Sequence, residues 1–408
     1  MILYNIALLL YSLAIRVASL RIHKAKLWCE GRQDLFSRME RTISKSDRII
    51  WFHVASLGEF EQGRPLIERV RASHPDYKIL LTFFSPSGYE IRKNYDGADY
   101  IFYLPIDTTN NARRFLDIVH PEIVIFVKYE YWLNLLFELR NRNIRSYIVS
   151  AIFRQQSIFF KWWGFMWRNA LSCFEMLFVQ DENSKRLLCD IGYDNVVVAG
   201  DTRFDRVKSV AEKTTKIDVV ERFKGESELL VAGSTWHADE DILATVMSRH
   251  REVKMVIAPH EVEESNIAYI ESLFEGLCVR YTRVNEATNF DGVQVLILDT
   301  IGMLSSLYQY GEWGYIGGGF GVGIHNTLEA ATFELPIAFG PNYSRFKEAV
   351  DMISLGGSCP ITDAEELDTW FTELLRDPAK RTKVGKISGE YVATRCGATT
   401  IIEQTIFV

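Results

Sequence analysis

The sequence predicts an α/β protein of two doubly wound, parallel-sheet domains facing a cleft, preceded by a membrane-associating N-terminal helix. Three observations carry this. Short runs that are apolar throughout alternate with helical patterns over most of the 408 residues, as expected of parallel strands buried on both faces. The alternation falls into two series separated by a polar, charged stretch, and the length suffices for two domains with separate cores. The chain also opens on an apolar segment that runs straight into a basic one.

That first segment, MILYNIALLLYSLAIRVASL, is followed between residues 16 and 45 by eight Lys or Arg against three acids. A secretory signal would carry its charges ahead of the apolar run, the reverse of this order. Arg16 interrupts the run well short of the ~20 residues a span requires, which favours interfacial or marginally spanning attachment; a buried core helix is the alternative. Residues 1–45 are read as this segment. The first domain, residues 46–207, contains the strand-like runs RIIWFHVAS (48–56), KILLTFFS (78–85), DYIFYLP (99–105), EIVIFVK (122–128), SYIVSA (146–151) and MLFVQ (176–180). A helix is expected from about Glu59 to Ala72. Residues 208–226 lack a strong apolar period and are read as a linker. The second domain, residues 227–408, contains ELLVAGS (228–234), VKMVIAPH (253–260), VQVLILD (293–299), WGYIGGG (313–319) and LPIAFGP (335–341), and its last helix is free to pack back on the first domain.

The formal charge of −7 argues against general nucleic-acid binding. Six dispersed cysteines with no C-x-x-C suit a reducing compartment. No motif asks for a metal, and none for a cofactor.

Chemistry is expected just after the strands. Five glycines in seven positions, Gly317, Gly318, Gly319, Gly321 and Gly323, precede His325 and Asn326. Such density lets a ligand approach main-chain N–H groups. A helix beginning near Asn326 would make the loop an anion site, most simply for phosphate; a tight strand-to-helix turn is the alternative. Neither the dinucleotide fingerprint nor the P-loop pattern fits these residues. Glu59 follows the first strand, at a turn where Gly58 lets the chain bend. A helix dipole would keep its carboxylate ionised and ready to take a proton, although a plain first-turn glutamate looks the same. Glu130, among aromatic residues in YEYW, is a second acid or half of a structural ion pair. Arg154 and Arg203 stand near strand ends, suited to a carboxylate or phosphate or simply solvated. Ser234 and Thr235 precede an acidic helical run, as caps or phosphate ligands.

Taken together, HVASLGE (53–59), SPSG (85–88), YEYWLNLL (129–136), GDTRFD (200–205), AGSTWHADE (232–240), DTIGML (299–304) and GIHNTLEAATFELPIAFGP (323–341) resemble the 3-deoxy-D-manno-octulosonic acid (Kdo) transferases of lipopolysaccharide synthesis. The resemblance runs from the N-terminus to about residue 358. It implies a GT-B glycosyltransferase with two Rossmann-like domains. Such an enzyme transfers Kdo from CMP-Kdo to a lipid A precursor, with inversion and without an essential metal, at the cytoplasmic face of the inner membrane. Glu59 matches the family's general base and Glu130 its second acid. Arg203, Ser234, Thr235, Gly317, Gly318, Gly319, Gly323, His325, Asn326 and Glu329 fall on the donor side; Ser56, Gly58, Ser85, Ser87, Gly88 and Arg154 fall on the acceptor side. Lys128 stands where the family has an acid, Leu133 replaces a proline, and the family's P-R-H reads Ala258, Pro259, His260 here. Other readings within this fold are a UDP-sugar enzyme or a membrane-surface scaffold without activity.

Overall fold

A computed structural model describes residues 1–407. The chain divides into two compact units: Met1–Arg206 together with the tail from Cys396, and Val207–Arg395.

The first unit is built on seven strands: β1 (Ile49–Val54), β2 (Lys78–Phe83), β3 (Tyr100–Tyr103), β4 (Ile123–Val127), β5 (Arg145–Ala151), β6 (Met176–Val179) and β7 (Val196–Val198). They form one sheet in the order β3-β2-β1-β4-β5-β6-β7, and every pair is parallel. β1 and β4 are buried along their whole length. Alternate residues of β1 face opposite cores: Ile49 and Trp51 join one apolar cluster, Ile50, Phe52 and Val54 the other. The sheet therefore buries both faces, as its unbroken apolar runs require.

The second unit repeats the plan with β8 (Leu229–Thr235), β9 (Lys254–Pro259), β10 (Cys278–Arg280), β11 (Val295–Ile297), β12 (Trp313–Ile316), β13 (Ile337–Phe339) and β14 (Ser358–Pro360). Their order is β10-β11-β9-β8-β12-β13-β14, again parallel. The chain builds outward from β1 to β3 and from β8 to β10, with β11 returning between β10 and β9, and then crosses to the other side, so the switch points lie between β1 and β4 and between β8 and β12. Open α/β sheets place ligands beside the carboxyl ends of strands at such switch points.

The N-terminal segment forms a helix, Ile2–Ala18, packed on the first unit. Tyr4 donates to Asp107 Oδ2 (2.8 Å), and Asn134 donates to Asn5 (2.8 Å). Among the described residues no helix is long and apolar enough to cross a membrane. The presumed linker is largely helical. Residues Thr202–Glu212 and Asp218–Lys224 form helices, and the second buries Val220 and Phe223. Two well-placed apolar residues anchor that short helix, although the composition around them is too polar to show a period.

Candidate functional site

In the first unit the switch point brings together His53, Glu59, Glu130 and Trp132. The chain leaves β1 through Ser56, which begins the helix Leu57–Ser73. Glu59 folds back over that helix start. Its Oε2 accepts from the Ala55 N–H (2.7 Å) and the Ser56 N–H (3.2 Å), satisfying donors that a helix terminus leaves unpaired. Oε1 receives no hydrogen bond among the described residues. Gly58 lies inside the first helical turn, and a Cβ there would meet nothing; the bend does not depend on it.

Burial and the neighbouring Glu130 carboxylate raise Glu59 to about 7, against the two N–H bonds and the Lys128 charge. This corrects the expectation that the helix dipole keeps Glu59 fully ionised. Loss of water and a like charge outweigh a dipole and two hydrogen bonds here.

Glu130 follows β4 and is buried. Its Oε2 accepts from Trp132 Nε1 (2.6 Å) and faces His53 Nε2 at 2.9 Å. The other ring nitrogen, His53 Nδ1, is 2.8 Å from Thr82 Oγ1, which accepts from Trp51 Nε1 (2.7 Å). Nδ1 also lies 3.1 Å from the Thr82 carbonyl oxygen, and Nε2 lies 3.1 Å from Trp132 Nε1, so both ring nitrogens are engaged within the buried network. A buried chain of Trp51, Thr82, His53 and Glu130 thus fixes the carboxylate that acts on Glu59. Sequence reading missed His53 and Trp132; the signal available was a histidine inside an otherwise apolar strand.

The other residues assigned to the acceptor side are placed as follows. Ser85 caps the helix Pro86–Arg92, its hydroxyl accepting from the Ser87 N–H (3.3 Å) and lying 3.0 Å from the Ser87 hydroxyl. Gly88 permits close packing, since a Cβ would lie 2.4 Å from Phe83 and 3.1 Å from the Ser56 backbone. Arg154 is exposed beyond β5, and its charge opposes the burial that raises the Tyr129 phenol. Arg203, read with the donor group, belongs to the first unit and pairs with Asp201 at 2.8 Å.

In the second unit the switch point holds the glycine loop. Gly317 and Gly319 are required by the protein's own backbone: a Cβ at Gly317 would lie 2.3 Å from the Ser234 carbonyl oxygen, and one at Gly319 2.6 Å from Gly340 Cα. Close backbone packing therefore accounts for much of the glycine density, leaving less of it to a ligand. Ser234 itself takes the left-handed region (φ 55°), at a register shift in the β8–β9 pairing.

Asp239, also missed in the sequence, organises this loop. It accepts from the N–H groups of Gly318 (2.9 Å) and Trp236 (3.0 Å) and from the Tyr315 hydroxyl (2.8 Å). One carboxylate thus already occupies part of the expected anion site. Gly323 N–H turns back to the Gly318 carbonyl (3.2 Å). Thr235 donates to Glu240 (3.0 Å).

The expected helix from Asn326 is a single turn, Leu328–Ala331. Glu334 in the left-handed region (φ 58°) and Pro336 stop it, so it contributes little macrodipole. Asn326 and Glu329 instead form a fixed pair. Asn326 Nδ2 donates to Glu329 Oε1 (2.8 Å), while Ser305 donates to Oε2 (2.6 Å). His325 stacks on His260 (4.3 Å between centroids), which stacks on Trp236 (4.8 Å). Burial and His260 lower His325 to about 4, so its ring is neutral at pH 7. Among the described residues no cluster of side chains could hold a metal.

Comparison with known proteins follows the same division. The fold resembles a UDP-N-acetylglucosamine 2-epimerase from Neisseria meningitidis (TM-score 0.61, 17% identity, covering 88% of this chain and 99% of that one). It also resembles MurG of Acinetobacter baumannii (TM-score 0.54, 13% identity, covering 88% and 99%). Two parallel-sheet units of this kind resemble those of the GT-B glycosyltransferases. Residues 32–206 match the family model described as 3-deoxy-D-manno-octulosonic-acid transferase. A transferase of that name from Haemophilus influenzae is 25% identical over 364 residues, covering 86% of this chain and 84% of the relative. One from Aquifex aeolicus is 25% identical over 334 residues, covering 80% and 86%. The family match across the unit that carries Glu59 and Glu130, with relatives alike over most of the chain, supports the Kdo transferase family of lipopolysaccharide biosynthesis.

Proposed function

We propose that the protein transfers Kdo from CMP-Kdo to a lipid A precursor, with inversion and with Glu59 as general base. The observation that supports this best is the state of Glu59. One carboxylate oxygen is held by two backbone N–H groups, the other is open, and proton affinity is set near neutrality, where a base is most effective. In the reaction an acceptor sugar hydroxyl gives its proton to Glu59 Oε1 as its oxygen bonds to the Kdo anomeric carbon. The bond from that carbon to the phosphate oxygen breaks, and CMP leaves with the electron pair. Glu130, fixed by His53 and Trp132, keeps Glu59 basic enough to take the proton. Because CMP is already a good leaving group, positioning and stabilisation of the departing phosphate supply most of the remainder. The glycine loop with Ser234, Thr235, His325, Asn326 and Glu329 is the donor side of this reading.

We also place the enzyme on the cytoplasmic face of the inner membrane. The helix Ile2–Ala18 exposes Leu3, Leu9, Leu10, Leu13 and Val17, and Trp162, Trp163 and Phe165 expose large rings on the same unit. Apolar residues beside basic ones suit an interfacial contact.

The test is transfer by purified protein from CMP-Kdo, generated in situ, to a tetraacyl lipid A precursor, read by mass spectrometry. The expected result is a mass gain of one or more Kdo residues. Glu59→Gln should lose roughly 10²–10⁴ in kcat while binding CMP in preference to UDP as the unaltered protein does. Turnover retained in that variant overturns the role of Glu59; absence of CMP binding overturns the donor.

A further inference from the structure

We infer that an apolar cavity under the N-terminal helix binds one acyl chain of the acceptor lipid, with an anionic group of that lipid facing Arg32. The inference rests on the transferase reading and extends it to how the acceptor is held.

The cavity has a volume of about 230 Å³, presents only apolar atoms, and is lined by Leu8 and Tyr11 of the helix Ile2–Ala18 and by Phe84, Ile106 and Trp132. Three of these side chains follow β2, β3 and β4, so the cavity sits at the carboxyl edge of the first sheet. An aromatic series continues through it: Tyr11 stacks on Phe84 (6.2 Å), and Phe84 packs on Trp132 (4.7 Å). Trp132 is the residue whose indole N–H holds Glu130. One wall of the cavity is therefore the support of the acid that tunes Glu59. A chain lying here leads its sugar toward that carboxylate.

Charge complementarity narrows the occupant to an acidic amphiphile. The Arg32 guanidinium lies 5.0 Å from the Phe84 ring centroid and 3.9 Å from that of Trp28. Its nitrogens donate to the carbonyls of Leu104 (2.9 Å), Trp28 (3.1 Å) and Phe84 (2.9 Å). No carboxylate pairs with it among the described residues. A cation fixed by carbonyls beside an apolar cavity favours a ligand that is apolar at one end and anionic at the other. The opposite face of the helix is the exposed apolar surface described above, from which a chain would enter.

The test has two arms on the full-length protein. Ile106→Trp fills the cavity, and Leu8→Trp fills it from the helix should the first variant fail to fold. In the first arm, calorimetry follows binding of dodecyl phosphate below its micelle concentration. Filling the cavity should weaken binding about tenfold, the loss of contact with about two methylenes; equal binding by the filled and unaltered proteins overturns the inference. In the second arm, the preference for a tetraacyl acceptor over its fully deacylated counterpart should fall about tenfold. An unchanged preference overturns the inference, and so does a loss confined to binding of phosphatidylglycerol vesicles, which would assign the cavity to bulk lipid. If the unaltered protein transfers Kdo to neither acceptor, the transferase reading falls and the first arm alone decides the cavity.

Discussion

Glu59 holds its proton more tightly than its position on a helix implies, and two consequences follow at the level of single residues. The activity should rise with pH toward a plateau as Glu59 ionises, with an inflection near 7 in kcat/KM; a profile flat from pH 6 to 8 would contradict this. The stability effect has the opposite direction. A carboxyl raised from 4.5 to about 7 on folding favours the native state when protonated, so its contribution is complete below pH 4.5 and lost as pH rises through 7. Glu59→Gln keeps the hydrogen bond to the helix start and removes the charge. It should therefore raise unfolding free energy at pH 8 by roughly 1–2 kcal/mol, discounted for partial exposure, and much less at pH 5, as measured by urea titration. Both acids could be picked out in the sequence because each follows an apolar strand. Their coupling could not, since it comes from sheet order: β4 lies beside β1 although two strands separate them in the chain. His53 stayed hidden for the same reason, because Thr82 and Glu130 meet it only through neighbouring strands.

Among elements, strands set in unbroken apolar runs were readable, the edge strand β3 and the short β11 and β13 included, whereas the edge strands β7, β10 and β14 were not. β1 and β4 announce themselves as unbroken apolar runs, whereas β7, β10 and β14 have three residues each, and β14 ends in a proline. Edge strands bury less and carry a weaker pattern. The glycine loop was located correctly beside a strand end, but its glycines serve two purposes that a sequence cannot separate. The structure separates them. Gly319→Ala would drive a methyl into the Gly340 backbone and should cost about 1–3 kcal/mol, with CMP binding impaired. Gly321→Ala meets only the Gly318 carbonyl oxygen at 3.6 Å and should stay within about 0.5 kcal/mol of the unaltered protein. Equal effects in thermal melts would mean that loop packing is not what requires glycine. The helix Leu133–Asn141 offers a second case. Asp107 accepts from the N–H groups of Asn134 and Leu135 (both 2.9 Å) and from Tyr4, tying that helix start to the N-terminal helix. Asp107→Ala leaves these donors unpaired and should cost about 2–4 kcal/mol, with faster amide exchange across residues 2–18.

On the scale of the whole molecule, the order of the chain and the limits of its compact units do not coincide. The chain leaves the first unit after Arg206, builds the second, and returns at Cys396. The returning segment forms the helix Ala398–Ile406, whose Ile402 and Ile406 are fully buried in the core beneath β1 and β2 with residues of the helix Leu57–Ser73. Asp205 receives the N–H groups of Gly397 (2.5 Å) and Thr399 (2.7 Å), Arg69 pairs with Glu403 at 3.0 Å, and Arg145 donates to the Ile406 carbonyl at 2.9 Å. Removing residues 397–408 should therefore damage the first unit, although those residues follow the second in sequence. The two isoleucines alone contribute about 3–6 kcal/mol, and Asp205 loses its main-chain donors. In a calorimetric scan the transition of the first unit should fall by roughly 10 °C or more, while residues 207–395 melt as in the intact chain. The same truncation should weaken the carboxylate site, since the helix Leu57–Ser73 that positions Glu59 would lose the partner packed along it. A shift confined to the second unit, or none, would show that the tail is dispensable to the core that its isoleucines fill.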